Sequence, residues 1–167
     1  IDLAILRPGR IDRKIRVRRP DEAGARRIYE IYLRETLPLA EPPAALAQTV
    51  SAAHFARIPG NEFLEVTFRS GRREVLHRGD VASGAVIAAV VERAKGFALR
   101  RAIGGDAAAQ ITRQDLLTAL DREHAENDLF PSGDLTEDWL KLTDFDPENV
   151  VRLGPVRPRP AVVSGVL

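Results

Sequence analysis

The chain has 167 residues, 25 Lys and Arg against 24 Asp and Glu, a formal net charge of +1 and no cysteine. That length bounds it to one ordinary domain, or one small domain with a tail. The near balance of charge argues against a general nucleic-acid or membrane-surface binder, and the missing cysteines exclude a disulfide scaffold and a thiolate metal site, a composition that fits a reducing cytoplasm. No run approaches the ~18–20 apolar residues of a membrane-spanning helix, and no signal peptide is visible.

The first element runs from Asp2 to Asp12, where Arg7-Pro8-Gly9-Arg10 follows the apolar Ala4, Ile5 and Leu6. Pro8 fixes φ and Gly9 permits positive φ, so the pair reads as a tight turn. The turn holds two guanidinium groups three positions apart, close enough to converge on one anion; a basic surface loop would look the same. The stretch resembles the end of the second region of homology in AAA ATPases, Asp-Pro-Ala-(apolar)-(apolar)-Arg-Pro-Gly-Arg-(apolar)-Asp. It departs only at Leu3, where that family usually has proline. The resemblance implies that Arg7 and Arg10 are catalytic arginine fingers extended in trans to the ATP of a neighbouring subunit, a role worth roughly 10³–10⁵ in rate.

A phosphate-cradling Gly-x-x-x-x-Gly-Lys-Ser/Thr run is absent, as is an apolar strand ending in paired carboxylates. The chain opens inside the finger pattern without an initiator methionine. The expectation is a fragment of a longer ATPase, inactive alone and binding no nucleotide by itself.

Lys14 to Arg18 alternates like a short strand. Pro20, Asp21 and Glu22 then start a helix, with Ile28, Ile31, Tyr32 and Glu35 at helical spacing and Pro38 preventing extension far past Thr36. This helix resembles the first helix of the small AAA lid, which implies that Ile28 and Tyr32 line an adenine pocket; both could equally be core residues of a bundle. Pro42 and Pro43 open a second helix over about 44–57, with Leu46, Val50, Ala53 and either His54 or Phe55 inward. His54 is expected at the surface or half-buried.

Residues 62–79 read as a β-hairpin: Glu62 to Phe68 is aromatic and β-branched, Arg69-Ser70-Gly71-Arg72 turns, and Glu74 to His77 returns. With the Ser83-Gly84-Ala85 that follows, the hairpin resembles the bacterial proteasome-associated ATPases called ARC or Mpa. Ser83 can cap a helix to about Ile103 whose stripe includes Ile87, Val90, Val91 and Ala94. In AAA relatives this Gly-Ala step meets ribose and adenine, so the resemblance gives Gly84 and Ala85 a nucleotide-binding role; a capped helix start tolerating small residues is the plainer reading. Gly104-Gly105 stops the helix, and Thr112 to Asp115 forms a capping box for a last helix to about Asn127, with Leu116, Leu117, Leu120 and His124 inward. Leu135 to Leu142, with Trp139, suggests one short helix, and from Gly154 the prolines suggest an extended or disordered tail. The chain ends in Leu167 but lacks the tyrosine of the Gly-Gln-Tyr-Leu end by which the ARC/Mpa family docks a proteasome.

The expected architecture is mainly α (α+β): the end of an AAA large subdomain at 1–19, a helical lid with an inserted hairpin at 20–130, and an extension and tail at 131–167. The resemblance implies ATP or ADP with Mg²⁺ in the full-length protein, a homo-hexameric cytoplasmic ring, protein substrates and a proteasome partner, with no metal site, nucleic acid or membrane. An FtsH-like or other AAA unfoldase branch, whose lids run helix to helix, and a non-catalytic adaptor retaining a lid are the alternatives.

Overall fold

The computed structural model describes residues 18–127 and 149–156. The Arg7–Arg10 turn, all but Arg18 of the strand expected at Lys14 to Arg18, the short helix expected at 135–142 and the tail beyond Val156 lie outside the described residues.

Four helices carry the fold: α1 (Glu22–Tyr32), α2 (Pro43–Phe55), α3 (Gly84–Ile103) and α4 (Arg113–Asn127). Asp21 caps α1 by accepting from the Gly24 N–H at 2.7 Å. The face that α1 buries is Ala25, Tyr29 and Leu33, with Ile28 half-buried beside them. Ile31 and Tyr32, expected on the helix's main stripe, are 61% and 39% exposed. The helix also stops before Glu35, because the chain turns at Leu33 to pack Leu37 and Leu39 on the core. There Ile111 N–H donates to Pro38 O at 2.7 Å and Ala40 N–H to Ile111 O at 3.0 Å.

Helix α2 begins with Pro43 at its first position, where a missing N–H costs nothing. Its far end is closed by Asn61, whose Nδ2 donates to Ala53 O and Ala56 O at 2.7 and 2.9 Å. Helix α3 starts on Ser83, whose hydroxyl accepts from the Val86 N–H, and buries Ile87, Val90, Val91, Ala94 and Ala98. Gly105, at φ 104°, follows its end. The capping box of α4 forms as expected: Asp115 Oδ2 accepts from Thr112 N–H at 2.8 Å, and Thr112 Oγ1 from Asp115 N–H at 3.2 Å. Arg101 of α3 holds the same carboxylate with two bonds of 2.6 Å. Helix α1 packs on α2 and α3, and α4 on α2 and α3, around one apolar core.

The hairpin is β1 (Glu62–Phe68) and β2 (Arg73–His77), turned at Gly71 with φ 80°. A third strand, β3 (Val150–Pro155), was not foreseen: Gly154 and Pro155 read as the start of a tail. It pairs antiparallel with β1, Val66 opposite Leu153, giving the order β2-β1-β3. Phe63, Leu64, Val66, Phe68, Leu76 and Val81 form a second apolar cluster there.

Candidate functional site

The start of α3 is built by its neighbours. After β2 the chain makes one 3₁₀ turn, Arg78–Val81, before Ser83. Asp80 closes that turn by accepting from His77 N–H at 2.8 Å. Arg57, just beyond α2, grips the same carboxylate with bonds of 2.6 and 2.5 Å, and this bonding raises the arginine's pKa above its ordinary value. Gly79 lies against Phe55 so closely that a Cβ would meet the ring at 2.8 Å, so a glycine is needed for close approach rather than for φ. From the other side Arg19 Nη1 donates to the carbonyls of Val81 and Ala82. Three separate parts of the chain thus fix where α3 begins.

At that start Gly84 and Ala85 are exposed, and no atom lies within 4 Å of where a Gly84 Cβ would stand. The first turn of α3 thus presents the small residues Gly84 and Ala85 to open space, with room beside Gly84 for a flat group. Arg19 ties the beginning of α1 to the beginning of α3. Beyond the end of α1, Leu37 and Pro38 share a groove of about 460 Å³ with Leu99 and Ala102 of α3, so the two helices run in the same direction. Ile28 lies six residues into α1, about 9 Å along its axis, and Tyr32 four residues further on. The geometry therefore sets Ile28 closer than Tyr32 to the Gly84-Ala85 end, with Ile28 half-buried against the core and Tyr32 exposed. Arg7 and Arg10 lie outside the described residues.

A polar chain runs through the core nearby. Tyr29 Oη and His54 Nδ1 are 3.1 Å apart, and His54 Nε2 and His124 Nε2 are 3.2 Å apart, linking α1, α2 and α4. His54 is fully buried, correcting the expectation of a surface or half-buried residue; it is held inside because both ring nitrogens have partners. Burial, then the neighbouring His124 and Arg78, lower the His54 pKa to about 3. Burial and Arg78 lower that of His124 to about 4. Both imidazoles are neutral at pH 7, and burial raises the Tyr29 phenol well above its usual range. One N–H···N bond joins the pair, so each ring's tautomer dictates the other's. Among the described residues no group of three or more His, Cys, Asp or Glu side chains could hold a metal ion, and no helix is long and apolar enough to cross a membrane.

A family model described as the ARC AAA+ ATPase lid domain matches residues 20–161, most of the chain. The chain belongs to the ARC AAA+ ATPase lid family. Over 157 residues the lid is 45% identical to an AAA ATPase forming ring-shaped complexes from Corynebacterium kroppenstedtii, covering 86% of this chain and 27% of that protein. Proteasome-associated ATPases from Mycobacterium ulcerans and Acidimicrobium ferrooxidans are 40% and 37% identical over 164 residues, covering 90% of this chain. The chain spans about 27% of the length of these curated relatives.

The bonds of Arg19 to the start of α3 and the pairing of Tyr29, His54 and His124 are among the polar contacts that sequence reasoning did not foresee. Arg19 sits directly before Pro20-Asp21 and its partners are 62 and 63 residues away, so no local spacing marks it. A tyrosine and two histidines at inward helix positions were the available signal for the buried chain. Only the fold brings His54 and His124, 70 residues apart, together.

Proposed function

We propose that this chain is the lid end of a longer, ring-forming AAA ATPase that couples ATP hydrolysis to unfolding and threading protein substrates for a proteasome. The observation that carries the reading is the lid-family match over residues 20–161, which begins ten positions after Arg10 of the Arg7-Pro8-Gly9-Arg10 stretch. Ring assembly and proteasome association are taken from the names of relatives 37–45% identical. In this reading residues 1–19 close the large subdomain, 20–130 form the body of the lid and 131–167 an extension and tail. The protein works in the cytoplasm as a homo-hexamer.

Bound ATP with Mg²⁺ supplies the phosphoryl-transfer chemistry. This chain's part is to bind and to sense. The open first turn of α3 fits a nucleotide at Gly84 and Ala85, because nothing fills the space above Gly84. Ile28, half-buried against the core, and Tyr32, exposed, are the residues the family resemblance assigns to the adenine pocket. Arg7 and Arg10 address the nucleotide of the neighbouring subunit, where their fixed positive charge opposes the charge that builds on the phosphoryl group.

The test is ATP turnover by the full-length protein and by Arg7→Ala and Arg10→Ala variants. Each variant should lose turnover by about 10³-fold or more while binding ATP like the parent. The isolated chain should turn over no ATP. Normal cycling by both variants, or turnover by the isolated chain, would overturn the assignment.

A further inference from the structure

Arg19 occupies the joint between the finger stretch and the lid. It stands one residue before Pro20, nine residues after Arg10 and twelve after Arg7. Its Nη1 donates to two successive carbonyls, Val81 O and Ala82 O, the second at 3.3 Å. Ala82 is fully buried and Val81 nearly so. Val81 ends the 3₁₀ turn and Ala82, at ψ 140°, leads out of it to Ser83 at ψ 162°.

The geometry points to Arg19 as a positioning residue that fastens the first turn of α3, with Gly84 and Ala85, to the segment carrying the finger arginines. This rests on the nucleotide role proposed above for that turn. Arg19 itself reaches backbone, not nucleotide. A guanidinium suits the task because it stays charged, and its bonds to carbonyls are stronger than those of a neutral donor. The other supports of the α3 start, Asp80 with Arg57 and Gly79 with Phe55, come from within the lid. Arg19 alone among these three comes from the side of the upstream segment.

The experiment compares Arg19→Ala, Arg19→Lys and Arg101→Ala in the full-length protein. The last removes an α3–α4 ion pair at the opposite end of α3 and controls for general loosening of the lid. The readouts are affinity for a fluorescent ADP analogue and the split between KM and kcat for ATP. Arg19→Ala should weaken ADP binding and raise KM by about tenfold, and Arg19→Lys should recover most of both. Arg101→Ala should lower the melting temperature with affinity unchanged. Parental ADP affinity in Arg19→Ala, or an equal loss in Arg101→Ala, overturns the positioning role. If Arg19→Ala does not fold, Arg19→Lys decides: near-parental KM supports the role, and a loss matched by Arg101→Ala contradicts it. A parent protein that binds no ADP at all would bring down the proposed function, and this inference with it.

Discussion

The helical bundle and the small sheet reach burial by different routes. In the bundle four helices, each closed by its own local signals, press one apolar face inward around a core of fifteen buried residues. The sheet cluster has six, and its central strand β1 is flanked by one strand five residues away and another more than eighty residues on. The bundle also buries a chain of polar groups, where Tyr29, His54 and His124 satisfy one another. The sheet keeps its charges outside, as in the exposed Arg73–Glu65 pair at 3.6 Å. His124 and Phe63, with ring centroids 6.2 Å apart, mark where the two regions meet. Local sequence thus sets the bundle's elements, while the sheet depends on a distant strand.

The largest effect should come from the bundle. Leu46→Ala removes a fully buried side chain and should cost about 2–5 kcal/mol, lowering amide protection across all four helices in hydrogen–deuterium exchange. Leu64→Ala, equally buried but in the sheet, should release the three strands before the helices. Equal loss of helix protection in both variants would erase the distinction between the regions.

A smaller step sharpens the role of the polar chain. Tyr29→Phe keeps the ring but leaves His54 Nδ1 without its 3.1 Å partner, and should cost about 1–3 kcal/mol in denaturant unfolding. A neutral result would mean that the chain adds nothing beyond packing. Acid should act on the same groups. In the unfolded chain His54 and His124 take up protons near the ordinary value of about 6.5, but folded they resist until about pH 3 and 4. The unfolded state therefore binds more protons between those values, and stability must fall with pH. It is full above about pH 6.5 and drains toward about pH 3, and replacing both histidines with leucine should flatten that slope. The smallest effect lies at the sheet's edge. Val150→Ser, at the margin of the second cluster, should speed exchange in β1 and β3 with little change in the melting temperature.

Much of the bundle was legible because its signals are local. Asp21 before α1, Pro43 opening α2, Ser83 and Gly104 bracketing α3, and Thr112 with Asp115 on α4 each announce an end within four residues. The hairpin was readable from Gly71 and the strands around it. Which face of α1 turns inward was not, because Tyr29 and Tyr32 differ only in what other helices bring to them. The burial of His54 depended on a partner 70 residues away, and β3 on a strand it meets only in the fold. In the candidate site, the Ser83-Gly84-Ala85 start of α3 was visible as a motif, but Arg19, which secures it, was not.

In the proposed function, arginines just upstream of this lid serve a neighbour's nucleotide. Mixing two inactive forms of the full-length protein tests it most directly: Arg7→Ala/Arg10→Ala subunits with subunits disabled in their own phosphate-binding loop. Mixed rings should regain measurable ATP turnover, because intact fingers on one subunit then face an intact site on the next. Mixed rings as inert as either parent form would place the arginines in their own subunit's chemistry, or in none.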